Sequence, residues 1–479
     1  MQHPFEFPLQ LPASGSRQRL AALHAQLHAA ILDGRLQPGL RLPATRELAQ
    51  ALKISRNTVV AAYELLLSEG YVVARRGAGN YVADLLGRRG QRGAPPPGPG
   101  GDRRLTPYWR AARLPAPMQL GACTHDFRVG IPDNRQFPFE LWRRLSARAL
   151  RGLSKAPPLY GHATGRPALR EAIARHVSFA RAVACDPDDV VVTSGAQQAF
   201  DLLARVLVTP GRTVVAVEDP GYPPLRAAFA AAGARVVPVA VDAEGLVVEK
   251  IPAEARVVYV TPSHQFPLGV PMSPSRRAAL LAFAAARQAV VVEDDYDGEF
   301  RYGGRPLDAL QTLDRDGLVC YVGTFSKCLF PALRLGYVVA PPWLLPALAA
   351  AKAMTDWHCD LPAQDTLAAF ITEGHLARHV RRMRKEYAER RATLLEALSC
   401  HGIEAWPSDA GLHLSARLPH RVRSATLVEQ AAAQGIHLEG LDGYTHGRVA
   451  MQGLVLGFGM IEAARIGEAL RRVARLLPR

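Results

Sequence analysis

Ser55 to Tyr71 reads SRNTVVAAYELLLSEGY, and this stretch decides the first fold of the chain. A serine ahead of an apolar periodic run is a helix N-cap, because its side-chain oxygen takes up an amide of the first turn that has no partner within the helix. Val59, Tyr63 and Leu66 then share one helical face, and Gly70 provides the stop. Upstream, Leu20, Leu23, Leu27 and Ile31 recur at three- or four-residue spacing and predict a helix over residues 16–33, ended at Gly34. After Pro43, ATRELAQAL predicts a short second helix, with Lys53 and Ile54 as a tight turn before Ser55. Downstream, YVVARRGAGNYVADL is two β-rich runs around a glycine-rich turn, which is a hairpin signature. Three helices and a hairpin make a winged helix-turn-helix, an α+β domain expected over residues 1–86.

Beyond it the composition changes. Residues 87–117 open with GRRGQRGAPPPGPGGDRRL, which cannot build a core and is expected to be an Arg/Pro/Gly-rich linker. From Cys123 onward, DVVVTSG, TVVAVED, RVVPVAV, RVVYVTP, AVVVEDD and LVCYVGT alternate with Ala/Leu-rich helical stretches. Short apolar strands separated by helices predict an α/β domain with a mainly parallel sheet, expected over residues 118–374. Residues 375–479 open on HLARHVRRMRKEYAERRATLLEAL and are expected to form a smaller α+β subdomain.

The charge balance narrows the function. Net charge is +15, and residues 1–86 carry nine Lys/Arg against six Asp/Glu, while residues 87–113 carry seven Arg against one Asp. The basic excess therefore lies toward the N-terminal quarter, as it would if that end met phosphates. With 48% hydrophobic residues the chain is not a disordered one. No apolar run reaches the roughly 18 residues of a membrane helix, and the first twenty residues lack the order of a signal peptide, so no membrane contact and a cytoplasmic location are expected. Six scattered cysteines without a C-x-x-C pair predict reduced thiols, neither a disulfide framework nor a metal site. Cys328, beside a notable lysine, reads better as a space-filling residue than as a reactive thiol.

In a helix-turn-helix the first residues of the last helix reach base edges in the major groove. Here these are Ser55, Arg56, Asn57 and Thr58; arginine suits guanine and asparagine suits adenine. Arg46 in the second helix and Arg75 and Arg76 in the hairpin are placed for phosphate or minor-groove contact. Taken singly, each is a solvated charge; set in this order, they predict a reader of double-stranded operator DNA.

The body carries a second constellation. Lys327 in GTFSK follows an apolar strand in an uncharged neighbourhood that favours a neutral amine. Asp294 ends the strand AVVVEDD, where α/β folds bind ligands, with Asp295 and Glu293 open as alternatives. Gly195, Ala196 and Gln197 open a helix after VVVTS, an anion site by its free amides. Ser326 and Arg334 offer further phosphate contacts, Tyr222 a stacking ring, and Tyr296 a hydroxyl for the ring's phenolate oxygen. A Schiff-base lysine, an acid for a pyridine nitrogen, an aromatic cover and a phosphate cradle are the four needs of pyridoxal phosphate (PLP).

PGLRLPATRELAQALKISRNTVVAAYELLLSEGYVVARRGAGNYV closely resembles GntR-type winged helices, which implies DNA contacts from Arg46, Arg56 and the wing around Gly77 and Gly79. The first helix, QRLAALHAQL, departs in lacking the usual aromatic entry residue. FRVGIPDNRQFPFELWRR, TSGAQQAFDLL, VEDPGYP, TPSHQFPLG, VVEDDYDGEFRY and GTFSKCLFPALRLGY resemble the fold-type I aminotransferase-like body of MocR/GabR-type transcription regulators. That resemblance implies an aldimine at Lys327, Asp294 on the pyridine nitrogen, Tyr222 stacked, and Ser326, Arg334 and residues 195–197 on the phosphate. It also implies Tyr160 on the phosphate of the partner subunit, hence a head-to-tail homodimer. A regulator that senses an amine or PLP itself is expected rather than an enzyme; the alternative is an active aminotransferase carrying a DNA-binding head.

The pattern departs at the effector side. Val455 stands in GLVLGF where aminotransferases carry a carboxylate-binding arginine, and Pro223 and Pro224 follow Tyr222, the first arginine being Arg226. Arg448 and His446 are nearby substitutes, Leu268 replaces a common Thr, and His162 stands where relatives often carry an acid. Without a buried cation an α-carboxylate is costly to desolvate, which weighs against an ordinary amino-acid transaminase.

Overall fold

The computed structural model describes residues 5, 7–12, 18–75, 77–84, 104–111, 123–157, 159–303, 308–419, 421–446 and 451–478. The chain divides into two compact units, Met1–Thr106 and Pro107–Arg479.

In the first unit, α1 (Arg19–Leu32), α2 (Thr45–Leu52) and α3 (Arg56–Ser68) precede a hairpin of β1 (Val72–Arg75) and β2 (Gly79–Val82). Leu23, Leu27 and Ile31 of α1 meet Val59, Ala62, Tyr63 and Leu66 of α3 in one core, which Leu48 and Val82 complete. This is the apolar stripe that a helix must bury to be stable. Lys53 adopts the left-handed conformation at φ 52°, which makes the sharp turn between α2 and α3.

The second unit begins with a helix, Pro107–Ala111, inside the stretch expected as linker. Tyr108 Oη donates to the Ala227 carbonyl at 3.0 Å, fixing this turn on the helix Pro223–Ala231. An aromatic pair, Tyr108 and Trp109, supplies what the neighbouring Gly/Pro/Arg composition lacks.

The strands of this unit are β3 (His125–Asp126), β4 (Val190–Thr193), β5 (Val214–Asp219), β6 (Arg235–Asp242), β7 (Gly245–Leu246), β8 (Ala255–Val260), β9 (Val290–Asp295), β10 (Val319–Thr324), β11 (Gly336–Val339), β12 (His413–Arg417), β13 (Ile436–His437), β14 (Glu439–Gly440) and β15 (Gly453–Gly457). Eight form one sheet in the order β4-β11-β10-β9-β8-β5-β6-β7. Its middle is parallel from β10 to β6, and β11 runs antiparallel to both of its neighbours. Central strands such as VVVEDD and VCYVGT are buried throughout, as strands sandwiched by helices are. The C-terminal part holds the 26-residue helix His375–Cys400 and the antiparallel sheet β12-β15-β14. The segment entering the body joins it there, because β3 pairs with β13.

Among the described residues no helix is long and apolar enough to cross a membrane. All six cysteines are free. Cys328 is buried and its thiol is pushed well above the usual range by burial, in keeping with a space-filling role.

Candidate functional site

In the head, Ser55 caps α3 as its position required: its side chain accepts from the Thr58 amide at 3.1 Å and shares a 2.8 Å hydrogen bond with the Thr58 hydroxyl. Both hydroxyls are thereby engaged in building the helix start. Arg56 and Asn57, one step on, are exposed, and Arg56 Nε reaches Thr45 Oγ1 at 3.5 Å. Arg46 is exposed on α2. In the hairpin the Arg75 guanidinium lies 4.6 Å from the centre of the Tyr81 ring, while Arg76 lies outside the described residues. Gly77 and Gly79 hold φ of 77° and 102°, conformations that let the wing turn. Arg41 was missed from sequence. It bridges to Tyr81 across the hairpin, and a Cβ on Gly79 would lie 3.4 Å from its Nε, so its guanidinium covers the wing. Only the long-range pairing reveals this.

In the body, β9 presents three consecutive acids, and the pleat sends them to different partners. Glu293 accepts the Leu310 and Gln311 amides at 2.7 and 2.9 Å. Asp295 accepts from Arg181 Nε at 2.5 Å and Tyr321 Oη at 2.6 Å. Asp294, on the opposite face, accepts from Tyr259 Oη at 2.8 Å, and its Oδ1 is buried without a partner. Burial, together with Asp295 and Asp297, pushes the Asp294 carboxyl up to about 7 against the pull of Tyr259 and Lys327.

Lys327 lies past the end of β10, and its Nζ donates to the Gly130 carbonyl at 2.8 Å. Burial lowers the ammonium below its usual range, with Asp297 and Asp294 opposing. A Cβ on Gly130 would come within 2.5 Å of Nζ and push the lysine tip aside, and its φ of 72° favours glycine. At the far end, Gly195 caps the helix Ala196–Leu207, whose first-turn amides have no partner within the helix. Arg334 is exposed and donates to the Ser194 carbonyl at 2.8 Å; a Cβ on Gly195 would lie 2.8 Å from it. Ser326 is buried and accepts from Thr324 Oγ1 at 3.0 Å, and the exposed Gln197 reaches the Pro224 carbonyl at 3.4 Å.

Tyr222 packs edge-on against Phe200 and Phe266, and burial pushes its phenol up to about 12. Tyr296 Oη donates to the His264 carbonyl at 3.0 Å and lies 2.9 Å from His264 Nδ1. His264 in turn meets Asp297 at 3.1 Å and Ser408 at 3.0 Å. This buried His264–Asp297 pair, which fixes Tyr296, was also missed from sequence; it needs β9 and the loop after β8 side by side. Tyr160 stands apart, 78% exposed, with its ring 5.1 Å from Trp357. Val455 is fully buried, while Arg448 lies outside the described residues.

The profile of the "Bacterial regulatory proteins, gntR family" matches residues 21–82, and that of "Aminotransferase class I and II" matches residues 126–453. "Probable rhizopine catabolism regulatory protein MocR" of Rhizobium meliloti is 38% identical over 94% of this chain and 91% of its own length. The chain belongs to the MocR-type transcription regulators. Within this MocR-type group, the pyridoxine biosynthesis transcriptional regulator PdxR of Corynebacterium glutamicum is 32% identical over 91% of both chains. The MocR-type body also matches the crystal structure of Pyrococcus horikoshii kynurenine aminotransferase at TM-score 0.69 and 30% identity, over 74% of this chain and 91% of that one.

Proposed function

We propose that this MocR-type regulator binds operator DNA through its winged helix and holds PLP at Lys327, where an amine or PLP itself is sensed. The observation that carries the reading is the unpartnered, buried Oδ1 of Asp294 at the strand end nearest Lys327. A buried carboxylate oxygen without a donor is costly, and a protonated pyridine nitrogen is the donor it lacks. PLP, when bound, supplies a reactive carbonyl and an electron-withdrawing ring. With PLP in place, Asp294 would keep the ring nitrogen protonated, Tyr222 would cover the ring, and Tyr296 would turn its hydroxyl from the His264 carbonyl to the phenolate oxygen. Arg334, Ser326 and the amides at Ala196 and Gln197 would hold the phosphate, the Gly195 amide being taken by the Thr193 carbonyl at 2.8 Å. The lowered Lys327 amine is free to act as a nucleophile.

The exposed Tyr160, propped by Trp357, supports a homodimer in which it reaches the partner subunit's phosphate. A ligand then shifts the regulator only as far as it binds one state better than the other. The same lysine, acid and arginine would also serve a transaminase, so residual half-reaction chemistry is the second reading. DNA as partner sets the action in the cytoplasm.

The test is a titration of cofactor-stripped protein with PLP, read by visible absorbance. A saturable band that Lys327→Ala abolishes is expected. No band at any concentration would remove the cofactor from this reading, and steady turnover of an amino donor and keto acceptor would make the protein an enzyme.

A further inference from the structure

The side of the site facing an incoming amine has its own chemistry, and it rests on the PLP reading above. Val129 and Gly130 are adjacent in the chain. The Gly130 carbonyl holds the Lys327 amine at 2.8 Å, while the Val129 amide donates to Glu439 Oε1 at 3.0 Å. One peptide unit therefore separates the lysine from a carboxylate. Glu439 Oε2 accepts from the Tyr444 hydroxyl. Two donors leave an ionised carboxylate with unused acceptor positions, since it has about four lone-pair sites. Its negative charge reaches the lysine, as it is among the groups that favour the charged Lys327 ammonium.

The surroundings are mainly apolar, and the two polar side chains beside them, His413 and Ser415, are both taken by the Pro267 carbonyl, at 3.0 and 2.6 Å. Glu439 is directly paired with Val455 across β14 and β15, so their side chains share a face of the sheet. Val455, Phe266, Leu268 and Tyr444 form one buried cluster, against which Val129 and Tyr222 pack. Among the described residues the neighbouring cations are committed. Arg128 is forked onto Asp126 at 2.9 Å, and Arg226 lies on the Tyr444 carbonyl at 3.4 Å, beside Asp219. A carboxylate brought here would lose its water, meet Glu439 and find no free cation among the described residues. An ammonium or another donor would find a fixed acceptor with aromatic walls, a favourable setting for a cation.

We propose that the effector is an amine without a carboxylate, a diamine in its simplest form, whose far end is held by Glu439 while its near amine engages the cofactor at Lys327. The experiment uses the full-length protein loaded with PLP and dialysed free of excess. The visible band is titrated with 1,4-diaminobutane and with 4-aminobutanoate, which match in length and differ in the charge of the far end. The diamine is expected to half-saturate at a concentration at least tenfold lower. In Glu439→Gln the ratio of the two half-saturation values should fall toward one, and taking the ratio within each variant cancels any general loss of cofactor. An equal or stronger response to 4-aminobutanoate, a ratio unmoved by Glu439→Gln, or no response to either amine overturns the proposal. Failure of the underlying reading is distinct: the Lys327-dependent band would then be missing before any amine is added.

Discussion

The head and the body handle polar groups in opposite ways. In the winged helix the side chains expected to reach DNA, Arg46, Arg56, Asn57 and Arg75, are exposed. In the body the polar side chains are sunk: Asp294, Asp295, Asp297 and Glu293 are all buried within a few residues of one another. An exposed arginine recognises phosphate and base edges by long-range charge, and its contribution is screened by salt. A buried carboxylate acts at short range through a protonation state set by its surroundings. One chain thus joins a part that should respond to ionic strength with a part that should respond to pH.

The sharpest break should come at Gly130. Gly130→Ala forces a Cβ to 2.5 Å from Lys327 Nζ at a φ that alanine disfavours, so loss of the visible cofactor band is expected, with operator binding by the head retained in a mobility-shift assay. Loss of both would show that the two parts are not separable.

Asp294→Asn comes next. Removing the charge opposite a buried ring nitrogen costs about 3–5 kcal/mol, so PLP affinity should fall by more than a hundredfold, measured by absorbance titration. The same acid has a pH signature in cofactor-free protein. Its folded pKa of about 7 lies above the unfolded value, so its contribution is fully present below about pH 4 and is lost as pH rises through 7. Burial lifts Glu218 and Glu293 to about 7 as well, so Asp294→Asn should flatten the fall in Tm between pH 4 and 7 by its own share only. An unchanged slope would mean that Asp294 is not titrating there.

Arg56→Ala should weaken operator binding by roughly 1–3 kcal/mol and reduce its salt dependence, leaving the cofactor band as it is. Smallest is Ser55→Ala, which removes the cap of α3 and should lower the stability of the head by about 1 kcal/mol, read as a shift in its thermal transition alone.

Much of this was legible in the sequence because local rules suffice for it. The three helices of the head follow from apolar spacing, a capping serine and glycine stops, and the six apolar runs of the body are six of the eight strands of its large sheet. The placement of Lys327 and Asp294 at strand ends was legible, since α/β folds bind ligands there. Where the sequence fell short, the missing information was non-local. It left Glu293 and Asp295 open beside Asp294, and only the placement of Leu310, Arg181 and Tyr259 around β9 separates them. Arg41, Asp297 and Glu439 were passed over because each gains its meaning from a partner distant in the chain, respectively Tyr81, His264 and Val129. The helix Pro107–Ala111 was absorbed into a linker by the composition of its neighbours.

The run Glu293-Asp294-Asp295 carries a consequence for how such a protein can change. β9 is held in register by β8, Val257 facing Val290, and by β10, Val319 facing Val291. Gaining or losing a single residue early in this strand would leave its composition almost untouched and every acid still present. It would nevertheless exchange the two faces of the pleat, turning a scaffold acid toward the lysine and sending the site's own acid into the arginine's place. Substitution here is a matter of degree, whereas a one-residue frame slip rewires the centre while leaving its parts list intact.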